Sequence, residues 1–194
     1  MTAAEAIYLD YNATAPIRPE VITLMCEIMG TVGNPSSMHE AGRKARARVD
    51  LGRQQVADLV GADHRNVIFT GNGTEADKLA LRGFGPRRLI VSGIEHGAIL
   101  APALLLDGNA AVVDVDQQGR LDLRDLETIL AATEGPALVS LMLANNETGI
   151  IQPVAEAAEI AHRHNALVHS DGIQGAGKIA IDMEQLGIDL LSLS

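Results

Sequence analysis

Four short polar segments of this 194-residue chain carry residue types suited to chemistry, and each follows an apolar run. Gly71-Asn72-Gly73-Thr74-Glu75-Ala76 follows Val67-Ile68-Phe69-Thr70, and Gly93-Ile94-Glu95-His96 follows Leu89-Ile90-Val91-Ser92. Ala144-Asn145-Asn146-Glu147-Thr148-Gly149 follows residues 137–143, and Asp171-Gly172-Ile173-Gln174 follows residues 166–170. The glycines at 71 and 73 let backbone approach a ligand closely. A helix opening at Thr74 would offer free N–H groups and a dipole that favour an anion such as phosphate. An aspartate such as Asp171 can pair with a protonated ring nitrogen, which makes a flat cofactor an electron sink for carbanions. An imidazole such as His96 can stack on a ring face and move protons near neutral pH. Asn146 and Gln174 offer amide hydrogen bonds to a ring hydroxyl or a substrate carboxylate.

Each residue also has a plain structural alternative. Glycine-rich turns occur without a ligand, and the 71–76 turn matches neither a Walker loop nor a G-x-G-x-x-G fingerprint. His96 can be a satisfied half-buried histidine, Asn145 and Asn146 turn residues, and Asp171 a helix N-cap. What favours chemistry is the set, because loops at corresponding strand ends of a parallel sheet converge on one crevice.

The elements that must position these loops follow from hydrophobic periodicity. It predicts helices over about 19–29, 40–60, 74–81, 98–106, 123–132 and 154–164. Between them, strands are predicted over 67–70, 89–92, 110–115, 137–143, 166–170 and 189–193. Residues 7–16 are extended and then turn, and Gly61 is a helix stop. Such alternation indicates an α/β fold with a mostly parallel sheet and flanking helices.

Hydrophobic residues make up 47% of the chain and aromatics only 2%, so the core must consist of Leu, Ile, Val, Ala and Met. The net charge of -10 argues against a nucleic-acid or anionic-membrane partner. The basic stretch Arg43, Lys44, Arg46 and Arg48 reads as the solvated face of a helix. Residues 1–16 do not resemble a secretory signal, and no apolar run is long enough to span a bilayer. Cys26 is the single cysteine. It reads as a buried, inert thiol in a reducing compartment, so a cytoplasmic location is expected.

Taken in order, the motifs resemble cysteine desulfurases of the class V aminotransferase superfamily. The segment from Tyr8 to Pro16 is similar to the family opening, and Gly33-Asn34-Pro35-Ser36-Ser37-Met38-His39 to its next signature. Further matches are 70–76, Ile94-Glu95-His96, 144–149, 171–174 with Gly177-Lys178 behind it, and 189–194. The resemblance implies a fold-type-I large domain over 16–194, C-terminally incomplete, preceded by an extended arm over 1–15. It implies pyridoxal 5'-phosphate (PLP) as cofactor, with Gly73, Thr74 and Ser194 on the phosphate. His96 would stack on the ring and assist proton transfer, and Asp171 would meet the ring nitrogen. Asn146 would lie near the ring hydroxyl and the substrate carboxylate, with Gln174 on the hydroxyl. L-cysteine would yield alanine and a persulfide for iron–sulfur or thio-cofactor assembly, with a sulfur-acceptor or scaffold protein as partner, in a homodimer.

Some positions depart from the family. Asn72 stands at a usual glycine, Asp77-Lys78 at a more amide-rich pair, and Gly172 at a usual alanine. Lys44, Lys78 and Lys178 do not match the cofactor lysine, which the family carries just after the strand resembling 190–194. Cys26 does not match the persulfide cysteine. A fragment lacking both nucleophiles is the expectation. A selenocysteine lyase or another class V enzyme, and a non-catalytic binding module, are the alternatives.

Overall fold

The computed structural model describes residues 7–194 except Phe84, Pro86, Asp107 and Asn109. Contacts divide the chain into two compact units, one ending at Gln54 and one running from Gln55 to Ser194.

In the first unit, residues 1–6 of the expected arm lie outside the described residues. Residues 7–10 carry no regular structure and 11–13 form a turn. Helix α1 (Pro19–Met29) opens on proline, whose fixed φ suits a first helical turn, and runs where the periodicity places it. Its apolar stripe is left uncovered, however, and α1 buries none of its residues. Cys26 is therefore exposed, contrary to the buried thiol read from its apolar neighbours. Spacing defines a stripe but not the layer that covers it.

The 33–38 loop sits against helix α2 (Glu40–Val60) with no room to spare. A Cβ on Gly42 would stand 2.1 Å from the backbone oxygen of Ser37. Backbone cannot give way as a side-chain tip can. Gly42→Ala should therefore lift this loop and destabilise the chain by about 1–3 kcal/mol. Urea unfolding checks this, and an unchanged midpoint would refute the close approach.

The second unit takes in the last turn of α2, where Ala57 and Val60 are buried and Gly61 ends the helix at φ +68°. There follow α3 (Gly73–Arg82), β1 (Arg88–Ser92), α4 (Gly97–Leu106), β2 (Ala111–Val113) and α5 (Leu123–Ala131). Then come β3 (Ala137–Met142), α6 (Val154–Arg163), β4 (Leu167–Asp171), α7 (Met183–Leu186) and β5 (Leu190–Ser192). The strands form one parallel sheet in the order β2-β1-β3-β4-β5. Helices cover both faces, which is why β3 and most of β1 and β4 are buried residue after residue. On one face Ile90, Val139, Leu141 and Val168 pack with Leu126, Leu130, Ala157 and Ala161. On the other, Leu89, Val91 and Leu138 pack with Leu81, Ile99 and Ala103. Each such leucine, isoleucine or valine taken out of water contributes roughly 1.5–3 kcal/mol.

Connectivity fixes where a ligand belongs. The chain leaves β1 through α4 to β2, then crosses back by α5 on the opposite face to β3, on the far side of β1. The loops after β1 and β3 thus part to opposite faces, and a crevice opens at the carboxyl ends of these two strands.

Two expectations about strands change. Residues 67–70 form no strand. They follow a 3-10 turn (His64–Asn66) without joining the sheet, and Ile68 and Phe69 are exposed. A β-prone run becomes a strand only beside a pairing edge, and among the described residues β2 and β5 pair with nothing beyond β1 and β4. Strand β2 is also shorter than 110–115. Asp125 Oδ2 accepts the Asp114 amide at 2.9 Å, and Val115 bridges back to Leu121 instead of continuing the ladder.

Candidate active site

The start of α3 is the candidate anion cradle, and side chains fix its shape. Asn72 Oδ1 accepts the Glu75 amide at 2.9 Å, and Glu75 Oε2 accepts the Gly71 amide at 2.6 Å. The first backbone bond of the helix runs from Ala76 N–H to the Asn72 carbonyl, at 3.1 Å. The Gly73 and Thr74 amides precede it, at the end of a helix where amides have no intrahelical acceptor. Glycine at 73 is a steric requirement. A Cβ there would stand 2.4 Å from Ile173 Cδ1 and 3.3 Å from Ser194 Cβ. Three expected site segments therefore meet at one point: the start of α3, the 171–174 turn and Ser194.

Asp171 closes β4 with its side chain buried, and Oδ1 accepts the Ile173 amide at 3.0 Å. Burial raises its carboxyl above the ordinary range, against the Ile173 amide and His96, which pull it down. Gln174 is half-buried and its Oε1 accepts from Lys178 Nζ at 2.6 Å. Asn145 is a turn residue, as its structural alternative had it. Its Oδ1 accepts the Glu147 and Thr148 amides, each at 2.9 Å. Asn146 beside it is half-buried.

His96 is a hydrogen-bonded histidine, though not a half-buried one. The side chain is exposed, yet Nδ1 accepts the Ala98 amide at 3.1 Å and the His96 carbonyl accepts the Ile99 and Leu100 amides. The ring thus caps α4. A backbone amide only donates, so in this bond Nδ1 is the acceptor, which leaves Nε2 as the ring's donor.

Beside these residues lies a buried polar layer of which the loop motifs contained only Glu95. Glu95 Oε1 accepts the Ser92 hydroxyl at 2.5 Å and the Met142 amide at 2.7 Å, tying β1 to β3 across the switch point. Burial, with the Asp171 and Asp77 charges adding, pushes its carboxyl up to about 8, although both hydrogen bonds oppose the shift. His169 is fully buried, with Nδ1 2.8 Å from Ser140 Oγ and Nε2 2.9 Å from Ser192 Oγ. It links β3, β4 and β5, and burial holds its imidazole down to about 4. Asp77 reaches the same layer from α3 and is wholly buried. A signal for Asp77 existed: positions 73, 77, 80 and 81 form the buried face of α3. No such signal marked His169, because a strand buried on both faces shows no alternation.

The arrangement suits a flat cationic ring bearing a phosphate. Backbone amides stand beside Ser194 and the 171–174 turn, that turn carries a buried carboxyl, and the His96 imidazole is exposed. Among the described residues no group of His, Cys, Asp or Glu could hold a metal ion, and no helix is long and apolar enough to cross a membrane.

Comparisons with known proteins agree with this fold. The Aminotransferase class-V family model matches residues 7–194. A cysteine desulfurase IscS from Methanosarcina thermophila is 38% identical over 203 residues, covering 100% of this chain and 50% of the relative. A cysteine desulfurase IscS from Escherichia coli O139:H28 is 39% identical, covering 97% and 49%. Among solved structures, a NifS-like protein from Rickettsia africae matches with a TM-score of 0.91 at 36% identity, over 98% of this chain and 54% of its own. SspA in complex with cysteine matches at 0.87 and 28% identity, over 96% and 56%. The chain spans about half the length of the curated relatives it matches.

Proposed function

Because the chain belongs to the class-V aminotransferase family, which is pyridoxal-phosphate dependent, we propose that its crevice holds PLP within a cysteine desulfurase. The reaction converts L-cysteine to L-alanine and passes sulfur to an enzyme persulfide, for iron–sulfur cluster or thio-cofactor assembly. The desulfurase names of the relatives and the cysteine-bound SspA structure support the substrate. The observation that carries the reading is the meeting of Gly73, Ile173 and Ser194, with the Ile173 amide bonded to the buried Asp171.

PLP supplies an electron sink for the carbanion formed at the substrate's α-carbon. This chain's residues do the rest of the holding. The Gly73 and Thr74 amides and Ser194 bind the phosphate. Asp171, in surroundings where a lone carboxylate is costly, takes the ring nitrogen's charge. Asn146 and Gln174 orient the ring hydroxyl, and Asn146 also serves the substrate carboxylate. His96 stacks on the ring face and assists proton transfer through Nε2. Residues 16–194 act as the cofactor-binding large domain behind an arm over 1–15. The complete enzyme is a cytoplasmic homodimer that hands sulfur to an acceptor protein.

Titrating PLP and unphosphorylated pyridoxal into the protein tests the cradle. PLP should bind at least about tenfold more tightly, the worth of one charge-assisted hydrogen bond. Product analysis with L-cysteine on the complete protein should give alanine and sulfane sulfur in equal amounts. Amino-group transfer to a keto acid, or preference for selenocysteine, would move the protein to another branch. Equal affinity for PLP and pyridoxal would remove the cradle.

A further inference from the structure

Both carboxyl oxygens of Asp77 are buried and have no hydrogen-bond partner, an expensive state for a charge. Its neighbours do not relieve it. His169 Nε2 is 3.9 Å from Oδ1, but burial keeps that ring neutral and both its nitrogens already serve Ser140 and Ser192. The Ser192 hydroxyl lowers the cost, yet neither Asp77 oxygen reaches hydrogen-bonding geometry with it. From β4, Asp171 adds a like charge. Glu95, behind β1, interacts with both acids and is held protonated by its own burial. Among the described residues only His96, at the start of α4, acts on the Asp77 carboxylate as a cation would, and it stands on the exposed side.

We propose that Asp77 and Asp171 are a coupled carboxyl pair that, in mildly acidic solution and with the pocket empty, keeps one proton, carried by Asp77, and that a ring cation bound at Asp171 displaces it. The inference rests on the reading of Asp171 as the ring-nitrogen partner. The balance is simple: the O–H bond of Asp77 breaks, the proton passes to solvent, and no electrons move. With Asp77 neutral and Asp171 ionised, the empty pair carries one net negative charge. With both ionised and one ring cation present, the net charge is the same, so in mildly acidic solution the exchange leaves the charge of the low-dielectric layer unchanged.

Carboxyl carbon NMR of the cofactor-free protein reads the pair directly. Burial first, with the Asp171 charge adding, sets the Asp77 midpoint at about 6, and Asp171→Asn should lower it. PLP affinity across pH 5 to 7 gives the second reading. Below the Asp77 midpoint the apparent Kd should rise about tenfold per pH unit faster in the natural protein than in Asp77→Asn, one proton's worth of linkage. PLP's own ionisation is common to both proteins and cancels. An ordinary acidic midpoint for Asp77, or equal slopes in the two proteins, would overturn the proposal while leaving PLP binding in place. If Asp171→Asn leaves PLP affinity unchanged, the ring-nitrogen assignment fails, and the displacement step with it.

Discussion

Asp171→Asn should weaken PLP binding by about ten- to a hundredfold, the loss expected when a charge-assisted hydrogen bond worth roughly 1.5–3 kcal/mol is removed. The site amplifies the loss because Asp171 is buried at the end of β4, where solvent cannot substitute for it. The fold should survive, since an asparagine oxygen can still accept the Ile173 amide that Asp171 Oδ1 now accepts. Calorimetric titration with PLP gives the affinity, and the unfolding midpoint of the same variant gives the control. A weakened affinity with an unchanged midpoint is the expected pair. Undiminished PLP binding would place the ring nitrogen elsewhere.

The second large effect concerns pH and stability. Glu95 titrates at about 8 when folded against an ordinary value of 4.5, chiefly because it is buried. Below pH 4.5 both states are protonated and the group is neutral to stability. Between pH 4.5 and about 8 the unfolded chain gives up the proton while the folded one keeps it, so stability falls as pH rises. A Glu95→Gln protein cannot titrate there. Its unfolding free energy should gain on that of the natural protein by a few kcal/mol between pH 5 and pH 8, at about 1.4 kcal/mol for each pH unit crossed. Urea unfolding at the two pH values measures the difference. Parallel pH dependence of the two proteins would show that Glu95 ionises within the fold.

Much of this was legible in the chain. Helices such as 19–29 and 154–164 carry long 3.6-residue patterns, and the strands at 89–92 and 137–143 carry apolar runs between turn residues. The structure places both kinds within a residue or two of their expected bounds. The segment 67–70 has the same composition as those strands, and its fate depended on a neighbour that composition does not describe. The site divides in the same way. Gly73, His96, Asp171 and Gln174 sit in loops or at element ends, where polar residues stand out against apolar surroundings. Asp77, His169, Ser140 and Ser192 lie inside elements, where helical or strand spacing explains each of them as well as chemistry does. Only the packing of α3 against β5 and the register of β3, β4 and β5 bring these four together.

The cap that His96 provides for α4 has a consequence for timing. Nδ1 holds the only lone pair of the neutral ring, and the Ala98 amide occupies it. The ring can donate its Nε2–H in a hydrogen bond without disturbing the helix, but it can take on a second proton only by releasing Ala98. Each time the imidazole becomes imidazolium, the first turn of α4 loses its side-chain anchor and is free to fray. The exchange of the Ala98 amide with deuterium is therefore a clock on the charge of the ring: slow while His96 is neutral, faster while it is charged.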